Sequence, residues 1–124
     1  MGQSGIQIMS KKSLQKQTSK LSKPSLLTPA QLRSRQEQLV IIDVRGRLEY
    51  WLGHIPGARL WNRMRILQEV PKHQPIAITC LSGHRSAIAT QWFVAQGYQK
   101  IYNLQGGLMA WQREGNPTKQ GFRP

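Results

Sequence analysis

An α/β protein with a parallel sheet is the fold class the sequence predicts, and three observations predict it. Short strand-like runs at Leu39–Ile42, Ile76–Thr79 and Lys100–Leu104 alternate with stretches of helical character. The first run, Leu39–Ile42, is apolar throughout, the pattern of a strand covered on both faces, and the second is apolar up to Thr79. Asp43 and Cys80 directly follow those runs, where ligands of such sheets collect.

The elements follow in order. Thr28-Pro29 supplies a capping hydroxyl and a proline at the first helical position, opening a short helix to about Gln36. The strand Leu39–Ile42 ends at Asp43, and a second short helix fits Leu48–Leu52. Gly53-His54-Ile55-Pro56-Gly57-Ala58 has the glycines and proline of a turn, leading to a brief strand at Arg59-Leu60. Asn62 caps a helix to about Glu69, which Pro71 stops. After the strand Ile76–Thr79 come a glycine-containing loop and a helix over Ser86–Gln96 ended by Gly97. The strand Lys100–Leu104 and the pair Gly106-Gly107 then lead to a last helix from Leu108 to about Arg113.

Residues 1–24 are rich in Ser, Gln and Lys, hold no acid and show no sustained period, so a flexible basic tail is expected. The domain is expected over 25–117, with 118–124 as a flexible C-terminal tail. In all, 18 Lys and Arg face 5 acids, giving +13; the five lysines of the tail leave +8 on residues 25–124. Such a charge draws anions. The arginines are scattered and not interleaved with aromatics as a base-stacking platform requires, which argues against nucleic acid as the partner. One cysteine excludes an internal disulfide and a C-x-x-C pair, and His54, His73 and His84 are too scattered for a metal cluster. No cofactor or metal is expected. A reducing, cytoplasmic setting and no membrane span follow, since no apolar run approaches the ~20 residues a spanning helix needs. The small size and charged surface favour a monomer.

The chemistry concentrates in Cys80-Leu81-Ser82-Gly83-His84-Arg85-Ser86. A short loop with a central glycine can aim its amides at one point, and the following helix adds about half a positive charge there. A thiol so placed ionises readily and is nucleophilic as the thiolate. The same cysteine could equally be a small buried apolar residue at a strand end. The surrounding motifs decide between the two.

Four segments in the right order resemble the rhodanese family in its single-domain form. They are Asp43-Val44-Arg45, Glu49-Tyr50 followed by Gly53–Ala58, the loop Cys80–Arg85, and Gly106-Gly107 with Ala110-Trp111. The resemblance implies a rhodanese-like fold, a parallel sheet of about five short strands with helices on both faces. It also implies a sulfurtransferase that cycles through a persulfide on Cys80. Related phosphatases and arsenate reductases have five residues between Cys and Arg. Here four intervene, Leu81 to His84, which matches the sulfur-transferring members. The implied donor is thiosulfate or another small anionic sulfane, and the implied acceptor is cyanide, a thiol or a protein. A docking module without turnover, and a carrier delivering sulfur to a macromolecule, are the alternatives.

Leu81, Ser82, Gly83, His84 and Arg85 are the expected substrate-binding residues, with Asp43, Arg45 and Glu49 in support. Two roles are open for Arg85: holding the donor's sulfonate, or tying the loop to a carboxylate such as Asp43. Asp43 is expected to accept hydrogen bonds at its strand end, and Arg45 and Glu49 are spaced for an ion pair. His54 is expected to pack its turn. Trp51, Trp61, Trp92 and Trp111 are assigned to core or edge packing, with Arg59, Arg63 and Arg65 around Trp61 as a candidate docking surface for an anionic partner.

Overall fold

The computed structural model describes residues 24–124, and the expected N-terminal tail lies almost wholly outside them. Five strands form one parallel sheet: β1 (Ser25–Leu27), β2 (Val40–Asp43), β3 (Arg59–Leu60), β4 (Ile76–Thr79) and β5 (Ile101–Leu104). Their spatial order is β1-β5-β4-β2-β3, which puts β4 at the centre. The helices are α1 (Pro29–Ser34), α2 (Arg47–Leu52), α3 (Arg63–Glu69), α4 (His84–Ala95) and α5 (Gly107–Arg113). A 3-10 turn at Gln36–Gln38 follows α1.

Local chemistry sets the helix starts. Thr28 Oγ1 accepts from the Gln31 amide at 3.1 Å, while Gln31 Oε1 accepts from the Thr28 amide at 2.9 Å. This reciprocal cap, with Pro29 next, fixes α1. Asn62 Oδ1 accepts from the Arg65 amide and caps α3.

Alternation along the strands divides two cores. Ile41, Ala77 and Leu104 pack with Leu32 of α1 and Leu108 and Trp111 of α5. Ile42, Ile76, Ile78 and Ile101 pack on the other face with Ile66 of α3 and Phe93 of α4. Both faces are therefore covered, and apolar runs without alternation are the result.

Two expectations need correction. The first element is not the helix at Thr28-Pro29 but a strand before it: β1 pairs with β5, placing Leu26 beside Asn103. Only Leu27 of this three-residue edge strand is buried, so it carries no apolar pattern. The C-terminal segment 118–124 is tied to the domain and is not a free tail. His54 and Lys119 exchange backbone hydrogen bonds at 2.9 and 2.8 Å, and the Gly121 amide donates to Trp51 O at 2.8 Å. His54 is fully buried, stacks on Tyr50 and meets the Tyr50 and Arg123 carbonyls through its two ring nitrogens. Except for Tyr50, these partners are backbone groups distant in sequence, which no local pattern announces. Among the described residues no helix is long and apolar enough to cross a membrane.

Candidate active site

Cys80 follows the last residue of β4, at the carboxyl edge of the sheet beside β2. The chain turns at once: Gly83 adopts φ +101° and precedes the first residue of α4. That left-handed step is one that side-chain-bearing residues rarely take. It brings the Gly83 amide to 3.1 Å from Cys80 Sγ, with the Ser86 amide and hydroxyl each at 3.3 Å. A buried sulfur thus faces three donors. Burial alone would push the thiol pKa up, but the Ser86 hydroxyl and the amides of Ser86, Gly83 and Ser82 outweigh it, and the thiol lies below its ordinary value.

The loop is held from outside by α5. Leu108 and Met109 donate their amides to the Cys80 and Leu81 carbonyls at 2.8 and 2.9 Å. Gly107 (φ +60°) makes this close approach possible, because a Cβ there would stand 2.5 Å from Cys80 O and 2.6 Å from Leu81 O. The Gly106-Gly107 pair, expected to make a strand-to-helix turn, also clamps the thiol loop.

Sequence reasoning gave Ser86, the last residue of the thiol stretch, no role and left Asn103 out of the site. Ser86 Oγ also lies 2.5 Å from Asn103 Oδ1, an alternative acceptor for its one proton, and Asn103 Nδ2 donates to Gly83 O at 3.2 Å. Asn103 on β5 thereby holds both the hydroxyl that faces the sulfur and the glycine that turns the loop. One signal was available: a buried amide inside the apolar run Ile101–Leu104 needs partners.

The supporting residues are paired differently from expectation. Arg45 bonds to Asp43, not to Glu49: Nε to Oδ1 at 2.9 Å and Nη2 to Oδ2 at 2.8 Å, with the Arg45 amide also on Oδ1. Nη2 further donates to Gly53 O at 2.6 Å, and the pair is buried. The chain turns just after β2, so the backbone and side chain of Arg45 reach the same carboxylate two residues back. Glu49 instead accepts from the Gly46 amide of its own helix and takes both Nη atoms of Arg85, each at 2.9 Å. Arg85 therefore ties the loop to α2, not to Asp43. The Arg85 guanidinium and then the Gly46 amide hold the Glu49 carboxyl at about 2. Ser82 and His84 stand exposed on the loop, with Ser82 Oγ 3.0 Å from His84 Nδ1. Leu81 is exposed as well. Glu49 is thus joined to the thiol loop through Arg85, while Asp43 and Arg45 pair with each other at the end of β2.

Among the tryptophans, Trp111 is fully buried and donates to Pro117 O, and Trp61 and Trp92 pack on Phe93. Trp51 is 44% exposed, so of the core and edge roles expected it does not fill the core one. Among the described residues no cluster of metal-ligating side chains occurs.

The comparison that decides kinship is a family model, rhodanese-like domain, matching residues 28–114. The chain belongs to the rhodanese family. The match includes the thiol loop, Asp43 and Glu49. A thiosulfate sulfurtransferase of Pseudoalteromonas translucida is 36% identical over 80 residues, covering 62% of this chain and 76% of that one. A sulfurtransferase of Allochromatium vinosum is 38% identical over 85 residues, covering 65% and 78%. The solution structure of a rhodanese-like domain from Anabaena superposes with TM-score 0.71 at 28% identity, covering 78% of this chain and 80% of that chain.

Proposed function

We propose that this rhodanese-type sulfurtransferase moves a sulfane sulfur from thiosulfate or a related persulfide donor to cyanide or a thiol, through a persulfide on Cys80. The observation that carries the reading is the convergence of the Gly83 amide, the Ser86 amide and the Ser86 hydroxyl on a buried sulfur. These donors favour the thiolate and stand fixed before any charge arrives, the logic of an oxyanion hole. The two relatives named as sulfurtransferases support the same reading.

The Cys80 thiolate attacks the outer sulfur of thiosulfate. A new S–S bond forms at Sγ, the S–S bond of thiosulfate breaks, and sulfite leaves with that electron pair. Cyanide then attacks the terminal sulfur, thiocyanate departs and the thiolate is regained. No proton need move, so the loop donors suffice and no metal or cofactor takes part. Leu81, Ser82, Gly83 and His84 form the mouth through which the donor enters. Arg85 is committed to Glu49, so it braces the loop while its positive charge lies beside the anion's path. Asp43 and Arg45 hold the sheet edge that carries the loop. The protein acts as a monomer in the reducing cytoplasm, where a protein thiol can also serve as acceptor.

Mass spectrometry tests the cycle. Thiosulfate should add one sulfur to the wild-type chain and cyanide should remove it. Cys80→Ser should retain its fold and lose at least ~10³-fold in transfer, as expected when a covalent nucleophile is removed. Substantial transfer by that variant would sink the assignment. A folded wild type that neither gains sulfur nor turns over would leave the docking-module reading in its place.

A further inference from the structure

A groove of about 640 Å³ opens beside β3, α3 and the C-terminal segment, and none of residues 80–86 lines it. Its volume falls in the ~300–1,000 Å³ range of small-molecule sites. Arg47, Arg59 and Arg65 line it with a single acidic side chain, Glu69. Glu69 Oε1 lies 3.3 Å from Arg59 Nη1 and Oε2 lies 3.9 Å from Arg65 Nε, both exposed contacts that hold little energy. Arg47 rests over the Phe122 ring, its carbon 5.1 Å from the centroid.

No other acidic side chain among the described residues lines this groove. Of the chain's five acids, Asp43 and Glu49 are bound to Arg45 and Arg85, and Glu37 and Glu114 do not line the groove. Residues 1–23 contain no acid. Two guanidinium groups therefore converge on one oxyanion, which Glu69 imitates, and a third on the same groove has no carboxylate partner among the described residues. Each guanidinium has five donors in a planar fork suited to phosphate oxygens. Of those on Arg59, Arg65 and Arg47, one hydrogen bond is made in the groove, Arg59 to Glu69. Two linked phosphates supply more acceptors than two carboxylates and suit this surplus.

We propose that the groove binds a small molecule bearing a diphosphate, one phosphate between Arg59 and Arg65 and the other toward Arg47. Glu69 competes for the first position. The C-terminal segment completes the site through Phe122 and Pro124, which gives a purpose to its attachment at His54 and Trp51.

Calorimetric titration of the full chain with inorganic pyrophosphate tests this at ~0.15 M ionic strength, where surface attraction is screened beyond ~8 Å. One saturable site is expected. Arg59→Gln with Arg65→Gln should weaken binding tenfold or more, whereas Glu69→Gln should tighten it severalfold, a gain that damage to the fold cannot mimic. Arg113→Gln, exposed at the end of α5 and outside the groove, should leave it unchanged, as should Cys80→Ser, which separates this site from the sulfur chemistry. Three results overturn the proposal: no saturable binding, equal losses in Arg113→Gln, or weaker binding by Glu69→Gln. Tighter binding of hexaglutamate than of pyrophosphate also overturns it, in favour of an acidic-peptide surface.

Discussion

The inner and outer sides of the thiol loop carry two ion pairs of nearly equal length and opposite surroundings. Behind the loop, Asp43 and Arg45 meet at 2.8 Å with side chains 1% and 4% exposed. At its lip, Glu49 and Arg85 meet at 2.9 Å with side chains 38% and 49% exposed. Hydrogen-bond length does not separate them; burial does. Water cannot replace a lost partner behind the loop, whereas at the lip it can. The inner pair therefore belongs to the fold and the outer pair to the mouth.

The largest effect should come from breaking the inner pair. Arg45→Met leaves Asp43 buried with neither guanidinium bond and frees Gly53 O, a loss of about 3–5 kcal/mol by analogy with other buried pairs. Urea unfolding of the variant against wild type measures it. A loss under ~1 kcal/mol would erase the distinction between inner and outer pairs. Replacing both partners by apolar residues of similar volume should recover most of the loss, because it removes the uncompensated charge.

Gly107→Ala probes the inner side through backbone alone. The new Cβ would stand 2.5 Å from the Cys80 carbonyl at φ +60°, so either α5 or the loop must move. A cost of about 1–3 kcal/mol is expected, in the range of strained backbone positions. Displacing the loop carbonyls also displaces the donors around Sγ, so iodoacetamide alkylation of Cys80 should need higher pH than in wild type. An unchanged alkylation profile would show that the cradle does not depend on α5.

Comparison of the two sides also explains what was legible in the sequence. Strands buried on both faces write their burial as apolar runs, so β2 and β4 were visible to within a residue. The loop was visible because Cys80, Gly83 and Arg85 sit within six residues of one another. Pairings were harder to see. Arg45 and Glu49 have a spacing that suits a helical pair, but Arg45 precedes α2 and its guanidinium points back to the strand. Asn103, Lys119 and Gly121 reach their partners across the fold, and their local sequence holds no trace of it. Long-range polar contacts depend on topology, which hydropathy reports only in part.

The smallest effect is expected at the lip, where its pH dependence has a definite sign. The Arg85 guanidinium and the Gly46 amide lower the Glu49 carboxyl to about 2, against an unfolded value near ~4.3. A carboxyl depressed on folding contributes stability that is complete above the unfolded value and lost as pH falls through the folded one. The contribution should thus be whole at pH 6, fade below about pH 4 and be nearly gone at pH 2. Because both side chains are well exposed, its size should be about 1 kcal/mol or less despite the large shift. Glu49→Gln should therefore be slightly less stable than wild type at pH 6, and the two melting temperatures should converge on acidification. A gap that stays constant down to pH 2 would assign the effect of Glu49 to its capping of the Gly46 amide, which a glutamine can preserve only in part, and not to Arg85.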